Sequence, residues 1–371
     1  MAGDEYRIRP YRSSDRAAFL SLYETVWGYR KDSDWFEWRF RANPYCDGVQ
    51  MVVAEADDGV VGVEPLLAFP LRIGDQRLAA YQPVDWLVHP DHRRQGLFTR
   101  MTERLLQRVA DDVDLLFNFP NDALLPGLES FDWRVVGDLP TSYRVQNPRP
   151  LLTDAVGPTT ERALAPVLWL ASAATKWGLT ALDRLNAPSN DSTVESHDGV
   201  PVETVERLYD SAPPDAIHVP RDDTYLDWRF DNPNWETTTY VATDGGAPVA
   251  SLVAATERRD GCVTTMILDV QPMDDPGHAD VVASLLVRLL RDHRDADVIK
   301  SPGWYAPRLR RRYGFWHDSA LSASRLPSVS RVAVRPLPAG DIDDADAWHV
   351  DGLSLTDCEN WRLTLADLDI E

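Results

Sequence analysis

The sequence predicts an α+β protein of two domains, each a mixed sheet flanked by helices. Three observations carry this. The chain has 371 residues, about twice what one domain of ~100–200 residues needs. One pattern occurs twice, far apart in the chain. Helix-period and strand-period stretches alternate without a regular βαβ rhythm, as in α+β proteins.

The repeat is specific. The first copy reads Asp34-Trp35-Phe36-Glu37-Trp38-Arg39-Phe40, then Asn43-Pro44, the strand-like run Met51 to Ala56 and the turn Asp57-Asp58-Gly59. The second reads Thr224-Tyr225-Leu226-Asp227-Trp228-Arg229-Phe230, then Asn232-Pro233, the run Tyr240 to Thr243 and Asp244-Gly245-Gly246. The spacing is too long for a solenoid and implies two copies of a whole domain.

In the first copy, Tyr6 to Pro10 reads as a strand. Ser13 or Ser14 is placed to cap a helix reaching Val26, with Phe19, Leu20 and Tyr23 on one face. Asp32 to Phe40 predicts a short helix. Val60 to Ile73 and Leu78 to His89 predict strands joined at Gly74-Asp75. Leu97 to Ala110 is an amphipathic helix, and Leu115 to Phe119 a short buried strand. A helix near Asn121 to Phe131 and strands over Arg134 to Val145 close the domain. Glu161 to Leu185 is helical and largely apolar, and Ala187 to Thr193 is a polar linker. The expected units are 1–150, a connector 151–200, a second domain 201–335 and an acidic tail 336–371. Trp348 and Trp361 predict that the tail docks on the body.

Composition excludes several functions. Net charge is −21, with 59 acidic and 38 basic residues, so a free-standing nucleic-acid binder is not expected. With 13 Trp, 12 Tyr and 10 Phe, the chain is not disordered throughout. Cys46, Cys262 and Cys358 show neither metal spacing nor a disulfide framework. The N-terminus lacks the pattern of a signal peptide. The apolar run Ala163 to Ala174 contains Pro166 and is shorter than the ~20 residues of a spanning helix. A cytoplasmic protein without stable membrane insertion is expected. All but three of the basic residues are arginine, and this lysine scarcity with acid excess resembles proteins of salt-accumulating halophiles.

The stretch that carries chemistry is Val88-His89-Pro90-Asp91-His92-Arg93-Arg94-Gln95-Gly96-Leu97-Phe98-Thr99-Arg100. A strand ends, a basic turn follows, and an amphipathic helix begins at Gly96. Such a turn offers unpaired backbone N–H groups and the positive end of a helix dipole to an anion. Arg93 and Arg94 add charge suited to phosphate.

This stretch resembles the GNAT superfamily of acyl-CoA-dependent N-acyltransferases, whose fingerprint is Arg/Gln-x-x-Gly-x-Gly/Ala after a strand ending in Val-x-Pro. Arg93 to Gly96 matches, while Phe98 replaces the usual small residue. The resemblance implies a mixed, mostly antiparallel sheet and direct transfer of an acyl group to an amine. The co-substrate it implies is acetyl-CoA or another acyl-CoA, with no metal. Its diphosphate would lie against Arg93, Arg94, Gln95, Gly96, Leu97, Phe98 and Thr99, and its pantetheine arm against Leu87 and Val88. Asn118 and Asn121 are placed to bond the arm or to cap turns. The Val88 N–H is the expected donor to the thioester oxygen. Leu128 stands where relatives often carry a tyrosine acid. Asp85 is the candidate base; Glu64 and, as in some tandem relatives, Glu371 are alternatives. His89 and His92 lack a third metal ligand. The acceptor is expected to be a small-molecule or peptide amine.

In the second copy the same turn is replaced by Asp274, Asp275 and Asp280, which would repel a diphosphate. One cofactor site is therefore expected, in the N-terminal half, with the second domain shaping the acceptor cleft. Two other functions fit the pattern: an aminoacyl transferase resembling FemABX-like proteins, and a non-catalytic ligand-binding protein.

Overall fold

The computed structural model describes residues 6–369 except 58, 154–157, 189–192, 260, 275–278, 319–329 and 338–339. Strand β1 (Arg7–Pro10) is followed by helix α1 (Arg16–Trp27) and the short helix α2 (Ser33–Phe36), which runs on into a π-helical turn over Glu37–Arg41. Asp15, not a serine, stands at the start of α1, because its carboxylate accepts the Arg12 N–H and both terminal nitrogens of Arg9. Next come β2 (Met51–Ala56), β3 (Gly59–Ile73), β4 (Gln76–Pro83) and β5 (Leu87–Val88). Helix α3 (Leu97–Val109), β6 (Leu115–Asn118), α4 (Leu125–Glu129) and β7 (Arg134–Leu139) complete the N-terminal layer.

The sequence joined Leu78 to His89 in one strand. The structure breaks it between β4 and β5, because Asp85 takes a left-handed φ of 45°. Both pieces still pair with β3, Leu66 facing Pro83 and Val63 facing Leu87. An unbroken strand would alternate Asp85 and His89 onto one face, opposite Val84, Trp86 and Val88; the break at Asp85 interrupts that alternation.

The C-terminal layer starts with β8 (Thr141–Val145). It continues through α5 (Arg149–Thr153), the connector α6 (Pro158–Leu185), β9 (Thr193–Asp198), α7 (Val202–Ser211) and α8 (Asp223–Phe230). Strands β10 (Glu236–Asp244), β11 (Ala247–Arg259) and β12 (Cys262–Gln271) form a meander before α9 (Ala279–Asp292). Then follow β13 (Val298–Pro302), α10 (Pro307–Arg312), β14 (Trp316–His317) and β15 (Ser330–Pro336).

The two sheets repeat one strand order. The first runs β1-β2-β3-β4-β6-β15-β7, and the second, read from the matching edge, β9-β10-β11-β12-β13-β8-β14. In each, one parallel pair (β4 with β6, β12 with β13) sits among antiparallel ones. The sixth positions are exchanged. Strand β15, from near the C-terminus, fills the first sheet between β6 and β7. Strand β8, which the sequence placed in the N-terminal domain, fills the second between β13 and β14. The boundary near residue 150 therefore does not divide the sheets. Short β-rich segments state that they are strands but not which edge they complete.

The two copies of the repeat meet face to face. Trp38 Nε1 donates to the Trp228 carbonyl at 2.7 Å, and Trp228 Nε1 donates to the Trp38 carbonyl at 2.9 Å. This reciprocal pair marks a local two-fold axis. Around it one apolar core spans both sheets and takes in Trp348, Trp361, Leu363 and Leu365 of the C-terminal segment.

Candidate active site

The basic turn folds as a short 3₁₀ helix (Pro90–His92) and then reverses through Arg94 (φ 62°) and Gly96 (φ 72°) into α3. Gly96 is there for its backbone conformation and not for space, since a side chain on it would meet no atom within 4 Å. Leu97, Met101, Leu105 and Val109 seat α3 on the sheet. The first intrahelical bond runs from Arg100 N–H to the Gly96 carbonyl. No acceptor among the described residues meets the N–H of Gly96, Leu97 or Phe98. Arg93, Arg94, Gln95 and Thr99 are exposed around them. These amides, the helix dipole and two arginines form an anion seat.

Beside the turn the sheet opens. The parallel ladder between β4 and β6 ends at Tyr81 and Leu116, and β5 pairs with β3 alone. His89 N–H bonds the Val61 carbonyl, so by antiparallel alternation Val88 turns its N–H away from β3, toward the gap. The Val88 carbonyl accepts from Arg93 Nε at 3.1 Å, tying the turn to the strand. Phe98 does not fill the seat. Its ring packs against Trp86 and Phe131, and over Gly127, where a Cβ would lie 2.8 Å from it. The large residue in the fingerprint is thus matched by a glycine on α4.

Asn118 is buried, and its side-chain oxygen accepts the Phe119 N–H. Asn121 accepts from the N–H groups of Ala123 and Leu124 and so caps the entry to α4. Leu128 is fully buried in the core under α3. His89 Nδ1 accepts the Asp91 N–H, and His92 Nδ1 bonds the Tyr6 hydroxyl. No cluster suited to a metal exists among the described residues.

Of the three carboxylates named from sequence, Glu64 and Asp85 lie on opposite faces of the sheet. Glu64 points under α3, fully buried, with Thr102 Oγ1 donating at 3.2 and 3.3 Å. Burial pushes its carboxyl up to about 8, against the opposing pull of the Trp86 indole and the Thr102 hydroxyl. Asp85 points the other way, toward the π-helical turn that follows α2, where Arg39 Nη2 donates to it at 3.2 Å. The same guanidinium also binds Asp369 of the C-terminal segment. Glu371 lies outside the described residues.

Residues 7–136 match the family model described as an acetyltransferase (GNAT) domain. That match covers most of the first sheet and the basic turn, about a third of the chain. Three solved structures share the fold over 90% of this chain. They are a probable N-acyltransferase from Enterococcus faecalis (TM-score 0.62, 10% identity, 72% of that chain), a GCN5-related N-acetyltransferase from Anabaena variabilis (0.59, 12%, 73%) and Eis1 from Mycobacterium abscessus (0.52, 13%, 73%). No curated protein matches the sequence.

Sequence reasoning missed the arginines that tie the N-terminal layer to the rest of the chain. Arg39 and Arg229, the central residues of the two Trp-Arg-Phe copies, are both buried. Arg229 is sandwiched between Trp38 and Trp235 and donates to the carbonyls of Ala366 and Leu368. Arg221 is fully buried between Asp269 and Asp367. The signal was present: an arginine flanked by aromatics in an apolar helix has to be satisfied internally. Above this layer a cavity of about 840 Å³ lies between the halves of the molecule. Trp38, Trp228 and Trp235 wall it, and Asp34, Glu37, Asp227 and Asp231 stand around it.

Proposed function

We propose that this protein is an acyl-CoA-dependent N-acyltransferase, with acetyl-CoA or another acyl-CoA as co-substrate and one active site, in the N-terminal half. The carrying observation is the unpaired run of amides at Gly96, Leu97 and Phe98 beside the open edge of β5. The diphosphate is seated by those amides and the charge of Arg93 and Arg94. The pantetheine arm runs along Val88. The Val88 N–H donates to the thioester oxygen as negative charge develops there. The amine loses its proton to Asp85, which Arg39 holds in place on the face that looks toward the π-helical turn after α2. Glu64 is less suited to that role, being enclosed beneath α3. The leaving thiolate has no tyrosine from α4 to protonate it, because Leu128 occupies that place.

The second sheet, read as a degenerate copy, contributes half of the junction cavity. Its carboxylates and aromatic faces suit a cationic amine acceptor. The acid excess predicts that assays succeed at molar potassium chloride, where charge repulsion is screened over about 3 Å.

The test is calorimetric titration with CoA at high salt, followed by thioester turnover over a panel of amines. Binding weakened by Arg93→Ala, with turnover of at least one amine, supports the reading. Absence of CoA binding to folded protein defeats it. Binding without turnover leaves a ligand-binding protein. Acyl transfer from charged tRNA in place of CoA would mark an aminoacyl transferase.

A further inference from the structure

A second cavity, of about 450 Å³, lies far along the chain from the basic turn, between the connector α6, β8 and α9. In a chain of net charge −21 its lining is unexpectedly basic. Lys176 and Arg184 reach it from α6, Arg291 and Arg294 from the end of α9, and Arg144 from β8. Lys176 is one of only three lysines in the sequence. Of the two carboxylates in the lining, Asp183 is consumed by Arg144, which donates to it through both terminal nitrogens at 2.8 and 2.7 Å. Asp295 is the other. Among the described residues, Lys176, Arg184, Arg291 and Arg294 form no ion pair, and Arg294 only caps the end of α9 through the Arg291 carbonyl. Four exposed cations held together repel one another unless an anion joins them.

The rest of the wall is apolar: Leu179 from α6, and Val287 and Leu290 from α9. A bare inorganic anion would leave that surface wet. The volume lies within the roughly 300–1,000 Å³ of small-molecule sites. We infer that this cavity is a binding site for a single-chain anionic amphiphile, a carboxylate on an apolar tail, separate from the acyl-transfer site. The head would lie among the four unpaired cations and the tail along Leu179, Val287 and Leu290. Such a ligand would fasten α6 to the second sheet and raise the stability of the whole chain by mass action.

The probe is dodecanoate below its micellar concentration, titrated calorimetrically into the full-length protein, with melting temperature as a second readout. Saturable one-to-one binding is expected, accompanied by a rise in melting temperature. K176Q/R291Q, two substitutions at exposed positions, should weaken it at least tenfold while leaving CoA binding and the ligand-free fold intact. Dodecanol and inorganic phosphate should each bind more weakly. No saturable binding, binding indifferent to K176Q/R291Q in a variant with unaltered circular dichroism, or phosphate binding as well as dodecanoate would each overturn the inference. So would binding to anionic vesicles without binding to monomeric dodecanoate, which would make the region a membrane-contact surface.

Discussion

At the scale of single residues the candidate site is built from backbone conformations that side chains tolerate poorly. Gly96→Val places a β-branched residue at a φ of 72°. It should weaken CoA binding by about tenfold or more, a loss of ~1.4 kcal/mol, measured by calorimetry on folded protein. Asp85 also holds a positive φ, beside the reacting edge, and strain of this kind collects at functional sites. Asp85→Asn keeps the shape and a partner for Arg39. It should lower turnover by roughly 10²–10⁴-fold with CoA affinity unchanged; an undiminished rate would remove Asp85 as the base. Glu64 gives a pH signature instead. Its carboxyl is raised to about 8 from 4.5, so the folded state holds a proton that the unfolded state releases. Its contribution to stability is complete below the lower value and is lost as pH rises through the upper one, at about 1.4 kcal/mol per pH unit in between. Glu64→Gln should therefore flatten the fall of melting temperature between pH 5 and 8, read by thermal scans.

At the scale of elements, the parts legible in the sequence were those whose signal is local. The helix after the basic turn announces itself through Leu97, Met101, Leu105 and Val109 on one face, and the turn through its arginines and Gly96. The Trp-Arg-Phe repeat was visible, but its use was not. That Trp38 and Trp228 exchange hydrogen bonds, and that Arg39 and Arg229 hold the C-terminal segment, are facts of pairs distant in the chain. The break at Asp85 was hidden for a different reason. A run of strand-forming residues does not show where one of them leaves the ladder, and the face assigned to Asp85 by alternation rested on an unbroken strand. The Trp interlock is open to a double-mutant cycle. Trp38→Phe and Trp228→Phe should each cost about 1 kcal/mol for the lost bond, with a further loss where the freed carbonyl stays buried. The two effects should be non-additive, because the rings also stack 6.3 Å apart. Full additivity in denaturant titrations would show that the helices are held by other contacts.

At the scale of the molecule, the exchange of β8 and β15 decides what can be separated. A fragment ending at residue 150 has the entire basic turn but lacks β15, so β6 and β7 lose the strand between them. It also carries β8 without its sheet. Such a fragment should fail to unfold cooperatively and should bind CoA poorly. Adding residues 330–336 as a peptide should restore part of its ordered signal in circular dichroism. A fragment that folds and binds like the whole protein would show that the exchanged strand is dispensable. The buried Arg221 joins Asp269 of the second sheet to Asp367 of the C-terminal segment. Asp367→Asn should destabilise the whole chain by about 3–5 kcal/mol, as breaking a buried pair does, and in one transition.

The crossed strands also set an order of events during synthesis. Chains usually finish their first domain while later residues are still being added, at about 5–20 residues per second. Here the N-terminal sheet waits for β15, which leaves the ribosome only after every strand of the second sheet has appeared. Until then the edges of β6 and β7 stand open, and the nascent polypeptide needs protection from pairing with its neighbours on the same messenger.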